Sequence, residues 1–451
     1  MASSQGAMTY AFVSAIDFLN QREIDPNLYD QSRDRALTDI MKLVDRRKPI
    51  TTGQPNYHNF VNNDVYETGL VSAVTSTGLA QIQFTISTGY GFPRVYDLWK
   101  SDNVNNEGKQ GIVTAVTQGS GTATLTVRSV GGNAVPIYAT VGDTCTFSST
   151  AFPEQSTAPV NRRYPVTKYF NKTQVFREVD EITDIDKVAK IEITTPGGDY
   201  GMLPIQHIYK VVKMNADISA QMIQGVQSST SFGDASPFLS DSTTGNPIQT
   251  TGGLDWYVTT YGISDAAAVL GTFGFTELDT IVDNWLANKA PLDQMCFYAS
   301  KAKGKLDVFF KNLGSSGVTS VRMNIDGRDV DMEVEHIEYR GADIDFIYLP
   351  ILDHPQLFGS IQPDISGSLY FVPKDNIEVV GGGLAPRMQL RYTPSPFMGA
   401  NGASDGVMKE WRTGALAEVP TSSVAQLHTD WYTSQGLECI AVKHFQKFRV
   451  V

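Results

Sequence analysis

The sequence between residues 68 and 159 alternates apolar and polar residues so regularly that it restricts this part of the chain to antiparallel β-structure. QIQFTI (81–86) places three apolar residues against polar neighbours, and TATLTV (122–127) repeats the pattern. Because successive side chains of a strand point to opposite faces, such runs predict half-buried strands. Charge is sparse here, and Gly, Thr and Ser are frequent. We therefore predict a β-rich module that is inserted between patterned segments on both sides.

Turn residues divide this module into short strands. Gly119-Ser120-Gly121 stands between two alternating runs and predicts a hairpin loop, and VGDTCTF (141–147) predicts a further strand. A second extended stretch, YPVTKYFNKTQVFREV (164–179), follows the module. The chain thus returns from the module into another β-rich segment.

Two segments outside the module show the period of an amphipathic helix. Residues 28–48 have an apolar stripe formed by Leu37, Ile40, Met41 and Val44, and Pro49 ends the pattern. A longer helix is predicted from about residue 203 to 222. Its apolar face is Leu203, Ile208, Val211, Val212, Ile218 and Met222, and its polar face includes Lys210, Lys213, Asp217 and Gln221. Lys213 and Asp217 are four residues apart, so we expect a weak ion pair worth ~0.3 kcal/mol.

Residues 226–253 form a polar Gly/Ser/Thr-rich loop, after which helical and extended patterns alternate. Thr276 is predicted to cap a helix with apolar positions at Leu278, Ile281, Val282, Trp285 and Leu286. The run 295–299 predicts a short strand, and Ser300 is predicted to cap a second helix. The apolar positions of that helix are Leu306, Phe309, Phe310 and Leu313, and Gly314 ends it.

The remaining segments are mostly extended. Asp326-Gly327 lies between two alternating runs and predicts a β-hairpin. ADIDFIYLPILD, GSLYFVP and NIEVV predict three more strands, and LECIAVKHFQKFRVV predicts one last strand. Glycines 381–383 predict a turn. The order of elements in this half is that of a mixed α/β section.

Composition limits the classes of function. A chain of 451 residues with 41% apolar content is long enough for about two to four compact units. The net charge of −12 argues against electrostatic gripping of DNA or of an acidic membrane by the whole chain. The three cysteines are far apart in sequence, which argues against a disulfide framework and favours a reduced environment. The first twenty residues lack a basic segment, so no secretory signal is expected.

Residues 293–314 raise the question of a phosphate-binding or nucleophile turn, because a short strand leads through lysines and a glycine into a helix. Gly304-Lys305 is followed by Leu306 and lies inside the predicted helix, so the P-loop pattern fails. Cys296 alternates within an apolar strand, which is typical of a buried, unreactive thiol. The six histidines occur singly, without metal-ligand spacing. We therefore expect no catalytic residue, no metal site and no cofactor.

Segments in three places of the sequence resemble the major capsid proteins of tailed double-stranded DNA phages, which share the Hong Kong 97-type fold. NKTQVF (171–176) is similar to the N-x-T-Q-x-F stretch that precedes the spine helix in many of these proteins. Residues 275–314 look like their axial-domain unit of helix, short strand ending in a small residue, and helix. VEHIEYRGADIDFIYLPILD and GSLYFVPKDNIEVV are similar to later axial segments. The resemblance covers about residues 165–380 and, more loosely, TSQGLECIAVKHF; the crAss-like phage group is one source that it allows.

The resemblance implies an α+β fold of the Hong Kong 97 type, with an N-terminal arm, an E-loop, a long spine helix, an axial α/β domain and the inserted β-rich module. The implied domains are an arm at 1–49; E-loop and peripheral-domain strands at 50–67 and 160–196; the β module at 68–159; the spine helix and peripheral loop at 197–250; the axial domain at 251–415; and a C-terminal strand at 416–451 that returns to the peripheral domain.

By the same resemblance, the chain is expected to be a major capsid protein rather than an enzyme. It would form the hexamers and pentamers of an icosahedral head around double-stranded DNA, in the virion, after assembly in the bacterial cytoplasm. The implied partners are other copies, portal, scaffolding and decoration proteins, and packaged DNA by weak contact only, with no membrane. Fewer than 30 residues precede the first helix, so a fused scaffolding domain is not expected.

Two alternatives remain open at this point. A structural or binding protein of a phage tail or surface layer would suit the Thr/Ser-rich β module, and an α/β enzyme would need a set of titratable residues that the sequence does not show. For the capsid reading, charged residues on predicted helices are the candidate subunit contacts: Arg46, Arg47, Lys48, Lys210, Lys213, Asp217, Lys301, Lys303 and Lys305. The triplet Arg46–Lys48 also suits the negative end of its helix.

Overall fold

A computed structural model gives the fold of the protein. It describes residues 50–51, 56–62, 68–87, 93–119, 121–154, 156, 159, 166–183, 202–228, 243, 245, 248–315, 336–359, 362–379, 382–393, 409–417 and 420–451. The predicted helix at 28–48, the hairpin at Asp326-Gly327 and most of the loop at 226–253 lie outside these residues. The described residues form both helices and sheets, which confirms the α+β class.

The described strands, in chain order, are β1 (Ile50–Thr51), β2 (Asn56–Asn62), β3 (Thr68–Ser76), β4 (Gln81–Ser87), β5 (Asp97–Ser101), β6 (Gly111–Gln118), β7 (Thr122–Ser129), β8 (Thr144–Thr150), β9 (Val166–Lys172), β10 (Gln174–Thr183), β11 (Ile263–Ala266), β12 (Asp293–Tyr298), β13 (His336–Tyr339), β14 (Ala342–Tyr348), β15 (Ser368–Pro373), β16 (Ile377–Glu378), β17 (Leu384–Ala385), β18 (Met388–Tyr392), β19 (Lys409–Thr413), β20 (Gln426–Cys439) and β21 (Gln446–Arg449). The α-helices are α1 (Met202–Gln224), α2 (Leu254–Tyr261), α3 (Phe275–Ala287), α4 (Ser300–Ser315) and α5 (Pro363–Ser366), and short helical turns occur at Val104–Asn106, Pro350–Asp353, Pro355–Gly359 and Val442–His444.

The chain divides into two compact units. The barrel unit is Asn59–Tyr169, and the main unit is the remainder, Met1–His58 with Phe170–Val451. Strands β2 and β9, through which the chain enters and leaves the barrel unit, pair with each other. Strands β3 to β8 lie inside the span 68–159 that was predicted as an inserted β module.

The barrel unit is a closed barrel with the strand order β3-β4-β7-β6-β5-β8. The predicted alternation is confirmed, since the apolar residues of β4 and β7 are fully buried: Ile82, Phe84, Ile86, Ala123, Leu125 and Val127. The Trp99 ring packs in the same core, 5.5 Å from the Phe84 ring. At Gly111 a Cβ would lie 2.4 Å from Val127 Cγ1, so only glycine fits there. The core is therefore filled by side chains, as expected of a small barrel.

The turns of the barrel partly match expectation. The hairpin at Gly119–Gly121 is confirmed, because β6 and β7 pair antiparallel with Gln118 opposite Ala123. The strand predicted at 141–147 begins later, at Thr144. Gly142 has φ +99°, and the backbone amide of Asp143 donates to the Thr140 carbonyl. A tight turn therefore occupies the first three positions of the predicted strand.

A five-stranded sheet in the main unit is built around the long strand β20. Ten residues of β10 pair antiparallel with Gln426–Gln435, and the other edge of β20 pairs with β18 and β19. Helix α1 has 23 residues and confirms the predicted long helix. Its buried residues Met214, Ile218 and Met222 join a core shared with β10 and β20, while Val212 is exposed, contrary to the predicted stripe.

A six-stranded mixed sheet has the order β11-β21-β15-β12-β14-β13. The predicted helix–strand–helix unit is confirmed as α3, β12 and α4. Both helices pack on one face of the sheet, where Trp285 of α3 and Leu306 of α4 share a core with Phe371. The opposite face, with Met295 and Phe297, belongs to the core that contains α1 and α2.

Three local predictions in this region are wrong. Gly274, not Thr276, is the N-cap of α3, and Leu286 at the end of that helix is 51% exposed. The last strand is in fact two strands, β20 and β21, which belong to different sheets. Ala441 between them has a left-handed conformation with φ 56°, and this turn redirects the chain.

The side chain of Asn171 joins three parts of the main unit. It is fully buried and its Nδ2 donates to Leu437 O (2.8 Å), Gly252 O (2.9 Å) and Thr251 Oγ1 (3.2 Å). Its Oδ1 accepts from the amides of Gly252 and Lys172, both at 2.8 Å. The amide thus ties β9 to the segment before α2 and to β20.

The residues that follow complete this joint. Gln174 Oε1 accepts from the Thr251 amide at 3.2 Å, and Thr173 Oγ1 lies 3.1 Å from Ser434 Oγ. Phe176 is buried in the core beneath α1. Each specified residue of the N-x-T-Q-x-F stretch therefore has a contact that explains it.

We expect Asn171→Ala to destabilise the main unit by at least about 2 kcal/mol, because it leaves several buried donors and acceptors unpaired. Asn288→Ala is the control, since Asn288 is exposed at the end of α3 and its loss should cost within about 0.5 kcal/mol. Urea denaturation followed by Trp fluorescence measures both. Equal midpoints for the two variants would contradict the role assigned to Asn171.

Candidate functional site

The turn at residues 299–305 does not form a phosphate site. Gly304 lies within α4, as predicted, rather than in a loop before it. Ser300 was predicted to cap the helix, but its hydroxyl donates to Asp353 Oδ1 at 2.7 Å. The Asp353 Oδ2 accepts from the Ser300 amide at 2.8 Å and from the Tyr348 hydroxyl at 2.7 Å. Asp353 therefore provides the cap, and the prediction for Ser300 is wrong.

The three cysteines are buried and free, as the sequence indicated. Burial raises the pKa of the Cys145 thiol to about 12, and burial also raises the pKa of Cys296 and Cys439 well above the ordinary value. A thiol must ionise to act as a nucleophile or metal ligand. These cysteines are thus core residues.

The predicted contact lysines of the axial helix lie in the N-terminal half of α4. Lys301 is exposed, and Lys305 is half-buried one turn later, near Gly271. Lys303 points elsewhere, since its ammonium lies 5.9 Å from the centroid of the Tyr298 ring. The structure therefore groups Lys301 with Lys305 and separates Lys303 from them.

The predicted contact residues of the long helix face β10. Lys210 Nζ lies 2.9 Å from Oδ1 of the buried Asp180 and donates to the Val179 carbonyl at 2.5 Å. The contact with Asp180 is an ion pair without the alignment of a hydrogen bond. Lys213 lies 3.6 Å from Asp217, which confirms the expected pair, and 3.5 Å from Glu178. Lys210 therefore links α1 to β10 within the main unit, whereas Lys213 and Asp217 remain at the surface.

Arg46, Arg47 and Lys48 lie outside the described residues. Their predicted contact role and their predicted place at a helix end stay predictions.

A cluster that the sequence did not reveal lies on β13 and β14. His336 Nδ1 is 2.8 Å from Asp345 Oδ1 and 3.1 Å from Asp343 Oδ1. Within the described part of the chain, these three residues form the group of His, Cys, Asp or Glu side chains that lie close enough together to hold one metal ion. All are substantially exposed, and the Lys374 ammonium already lies 2.7 Å from Asp345 Oδ2. The group is therefore a surface charge network.

The two-residue turn before β14 could have revealed this cluster. Arg340 and Gly341 both have positive φ, of 51° and 79°, as in the tight hairpins that join adjacent strands. Reading Arg-Gly as such a turn would have placed His336 opposite Asp345, as the structure does. The Arg340 guanidinium also binds Asp279 and Asp283 of α3 at 2.8 and 2.9 Å.

A second histidine is held in its neutral form inside the main unit. His444 Nδ1 lies 2.8 Å from Nη1 of Arg387, whose Nε and Nη2 bind Asp375 at 3.0 and 2.8 Å. Because a guanidinium can only donate, His444 must accept. Burial, together with the Arg387 cation, lowers the pKa of His444 to about 4.

An open groove of about 390 Å³ lies between α1 and β10. Its lining includes three glutamines, Gln174, Gln221 and Gln224, and the charged residues Arg177, Glu178 and Asp217. Small-molecule sites are lined predominantly by apolar side chains. The other lining residues are apolar, namely Val175, Phe176, Met214, Ala220 and Leu357, so the groove is of mixed polarity rather than predominantly apolar. None of the described helices is long and apolar enough to cross a membrane.

Comparison with known proteins gives structural matches only. No protein-family model matches the chain, and no curated protein does. A structure from Mycobacterium phage Ogopogo has a TM-score of 0.42 and 8% identity, and the match covers 96% of this chain and 97% of that chain. The capsid of a native GTA particle has a TM-score of 0.41 and 10% identity, covering 97% and 98% of the two chains.

The capsid of Myoviridae phage XM1 has a TM-score of 0.39 and 9% identity, with 96% of this chain and 98% of that chain covered. These matches extend over nearly the whole chain, but all three TM-scores are below 0.5. The function of the chain therefore has to be inferred from its own residues.

We expect Lys210→Met to cost more stability than Lys213→Met, although the lysines lie on one helix. Removing Lys210 leaves the buried Asp180 carboxylate uncompensated, and the expected loss is near the lower end of the roughly 3–5 kcal/mol typical of broken buried pairs. Lys213 is 63% exposed, and its loss should change stability by less than about 1 kcal/mol. Urea denaturation measures both, and Lys210→Met/Asp180→Asn should recover part of the loss. A larger effect at Lys213 would refute this assignment.

The two histidines described above should give stability opposite dependences on pH. The pKa of His444 is lowered on folding, so its contribution is full above about pH 6.5, the ordinary His value, and falls as pH drops toward 4. The hydrogen bond to Asp345 raises the pKa of His336, so its contribution is full below pH 6.5 and falls as pH rises through the raised value.

Replacing each histidine by Gln tests these signs. His444→Gln should flatten the decline in denaturation midpoint between pH 6.5 and pH 4, and His336→Gln should remove a decline on the alkaline side. Urea midpoints at half-unit pH steps provide the measurement. An unchanged acid slope in His444→Gln would show that His444 is not held neutral.

Proposed function

We propose that the chain is a major capsid protein with the Hong Kong 97-type fold. It self-assembles into hexamers and pentamers that close an icosahedral phage head around double-stranded DNA. Its role is structural, without catalysis. The partners proposed are other copies, together with portal, scaffolding and decoration proteins, and the location is the virion after assembly in the host cytoplasm.

The observation that carries this proposal is the position of two of the stretches on which the resemblance rests. Residues 171–176 form the joint that leads into β10, against which the 23-residue helix α1 packs. Residues 275–314 form the expected helix, short strand and helix, and the small residue Ala299 directly follows the strand. The family pattern is thus present both in the residues and in the elements that they build.

The distribution of charge supports the same role. Acidic and basic residues are equal in number between Asn59 and Tyr169, so the net charge of −12 belongs to the main unit. A shell that encloses DNA must not hold it tightly, and an acidic protein repels phosphate at long range. We accordingly propose that packaged DNA is contacted only weakly.

The alternatives have less support. A tail or surface-layer protein would account for the barrel but not for the mixed six-stranded sheet with α3 and α4 on one face. An enzyme that used a cysteine nucleophile would need an ionisable thiol, and the three cysteines are buried with raised pKa values. We therefore place the structural role first.

The proposal predicts closed shells. Purified chain, alone or with lysate that contains its scaffolding protein, should yield fast-sedimenting icosahedral particles in negative-stain electron micrographs. Bovine serum albumin carried through the same protocol controls for nonspecific aggregates. Discrete small oligomers under every assembly condition, by sedimentation and microscopy, would reject the capsid function.

A further inference from the structure

The outer face of helix α4 combines two lysines with a glycine and an exposed valine. Lys301 and Lys305 are one turn apart, and Gly304 lies beside them with no atom within 4 Å of its Cβ position. Val308, one turn further, is 56% exposed. We call this surface the lysine face; it consists of Lys301, Gly304, Lys305 and Val308. It is basic, it has no side chain at Gly304 in its centre, and it is apolar at the Val308 end.

A second surface of the six-stranded sheet is acidic. Glu338, Asp343 and Asp293 lie directly opposite one another on β13, β14 and β12, and Asp345 lies two residues beyond Asp343. Their side chains are 44% to 81% exposed. We call these four residues the carboxylate face.

Among the residues that the structure describes, the carboxylate face meets fewer cations than it has carboxylates. Lys374 contacts Asp293, Asp343 and Asp345, and His336 contacts Glu338, Asp343 and Asp345. These are one permanent cation and one histidine against four carboxylates. Because like charges opposite each other on a sheet repel, an additional cation from outside would stabilise this arrangement.

The two faces lie on opposite sides of one sheet. The buried residues Ala302 and Leu306 place α4 on the side of Cys296 and Ile344. Side chains alternate along a strand, so Asp343 and Asp345 project from the other side, in step with Ile347, which packs against the opposite core. The lysine face of one molecule therefore cannot reach its own carboxylate face.

We propose that the lysine face of one copy binds the carboxylate face of the next copy. This inference rests on the proposed capsid function and names the contact surface that it would use. Because each molecule presents one basic and one acidic face, the contact is head-to-tail, and such contacts close into rings when the rotation between copies allows it. Complementary charge would also favour this register over a contact between like faces.

Charge reversal with rescue tests the pairing. Lys301→Glu/Lys305→Glu should abolish shells at the concentration at which the unmodified chain closes. Glu338→Lys/Asp293→Lys should do the same, and the four substitutions combined in one chain should restore shells. Lys289→Glu/Lys443→Glu, at exposed positions elsewhere, is the matched control with the same change in net charge and should assemble normally. Thermal unfolding of each unassembled variant verifies that it is folded.

Sedimentation and negative-stain microscopy give the outcomes. Failure of both reversed pairs with recovery in the combined variant supports the contact. Normal assembly of either reversed pair, or failure of the folded combined variant, overturns it. A loss of assembly in the control pair equal to that in Lys301→Glu/Lys305→Glu also overturns it. If the unmodified chain forms no shells under any condition, it is the proposed capsid function that fails.

Discussion

The hydrogen bonds that converge on the Leu437 carbonyl hold the main unit together. This oxygen accepts from Tyr57 Oη at 2.6 Å, Asn171 Nδ2 at 2.8 Å and Tyr257 Oη at 3.3 Å. The donors come from β2, β9 and α2, and Leu437 itself lies near the end of β20. A buried polar network of this kind specifies one arrangement because any displacement would leave its members unpaired in an environment of low dielectric constant. At Gly436 a Cβ would lie 2.6 Å from Tyr57 Oη and 2.7 Å from the Lys172 carbonyl, so the close approach requires glycine.

The C-terminal part of the chain, which contains Leu437, contributes strands to both sheets of the main unit. Strand β20 forms the centre of the five-stranded sheet, and after the left-handed turn at Ala441 the chain enters the six-stranded sheet as β21. Core residues from both sheets, among them Phe297 and Leu437, belong to a single cluster. The helices that carry the surface charges are therefore fixed to a framework whose parts meet at one buried joint.

Sequence patterns predicted those elements whose burial follows a local period. The barrel strands alternate as expected, and α3 buries Leu278, Ile281, Val282 and Trp285 as its periodicity required. Predictions failed where a residue distant in sequence decides the outcome. Ser300 bonds to Asp353, 53 residues away, and the contacts of Asn171 outside its own strand span 80 to 266 residues. For the same reason, the helical period placed Lys210 on the polar face of α1 but did not reveal its partner Asp180, which lies on another element.

The candidate contact residues show the same limit. Helical periodicity placed Lys301 and Lys305 on α4 correctly, but not the acidic surface on the far side of the sheet. That surface exists because strand register brings Glu338, Asp343 and Asp293 into one row. No spacing in the sequence expresses this register directly, because β12 and β14 are parallel and joined by a long crossover.

The pairing of β2 with β9 has a consequence for how such a chain can diversify. The polypeptide leaves the main unit and returns to it along two adjacent strands, and the barrel between them has its own closed core and no open sheet edge. Domains whose ends lie close together are the ones most readily exchanged, because the host needs only two neighbouring attachment points. The barrel is thus an inserted domain, and a different folded domain could replace it between the paired strands β2 and β9.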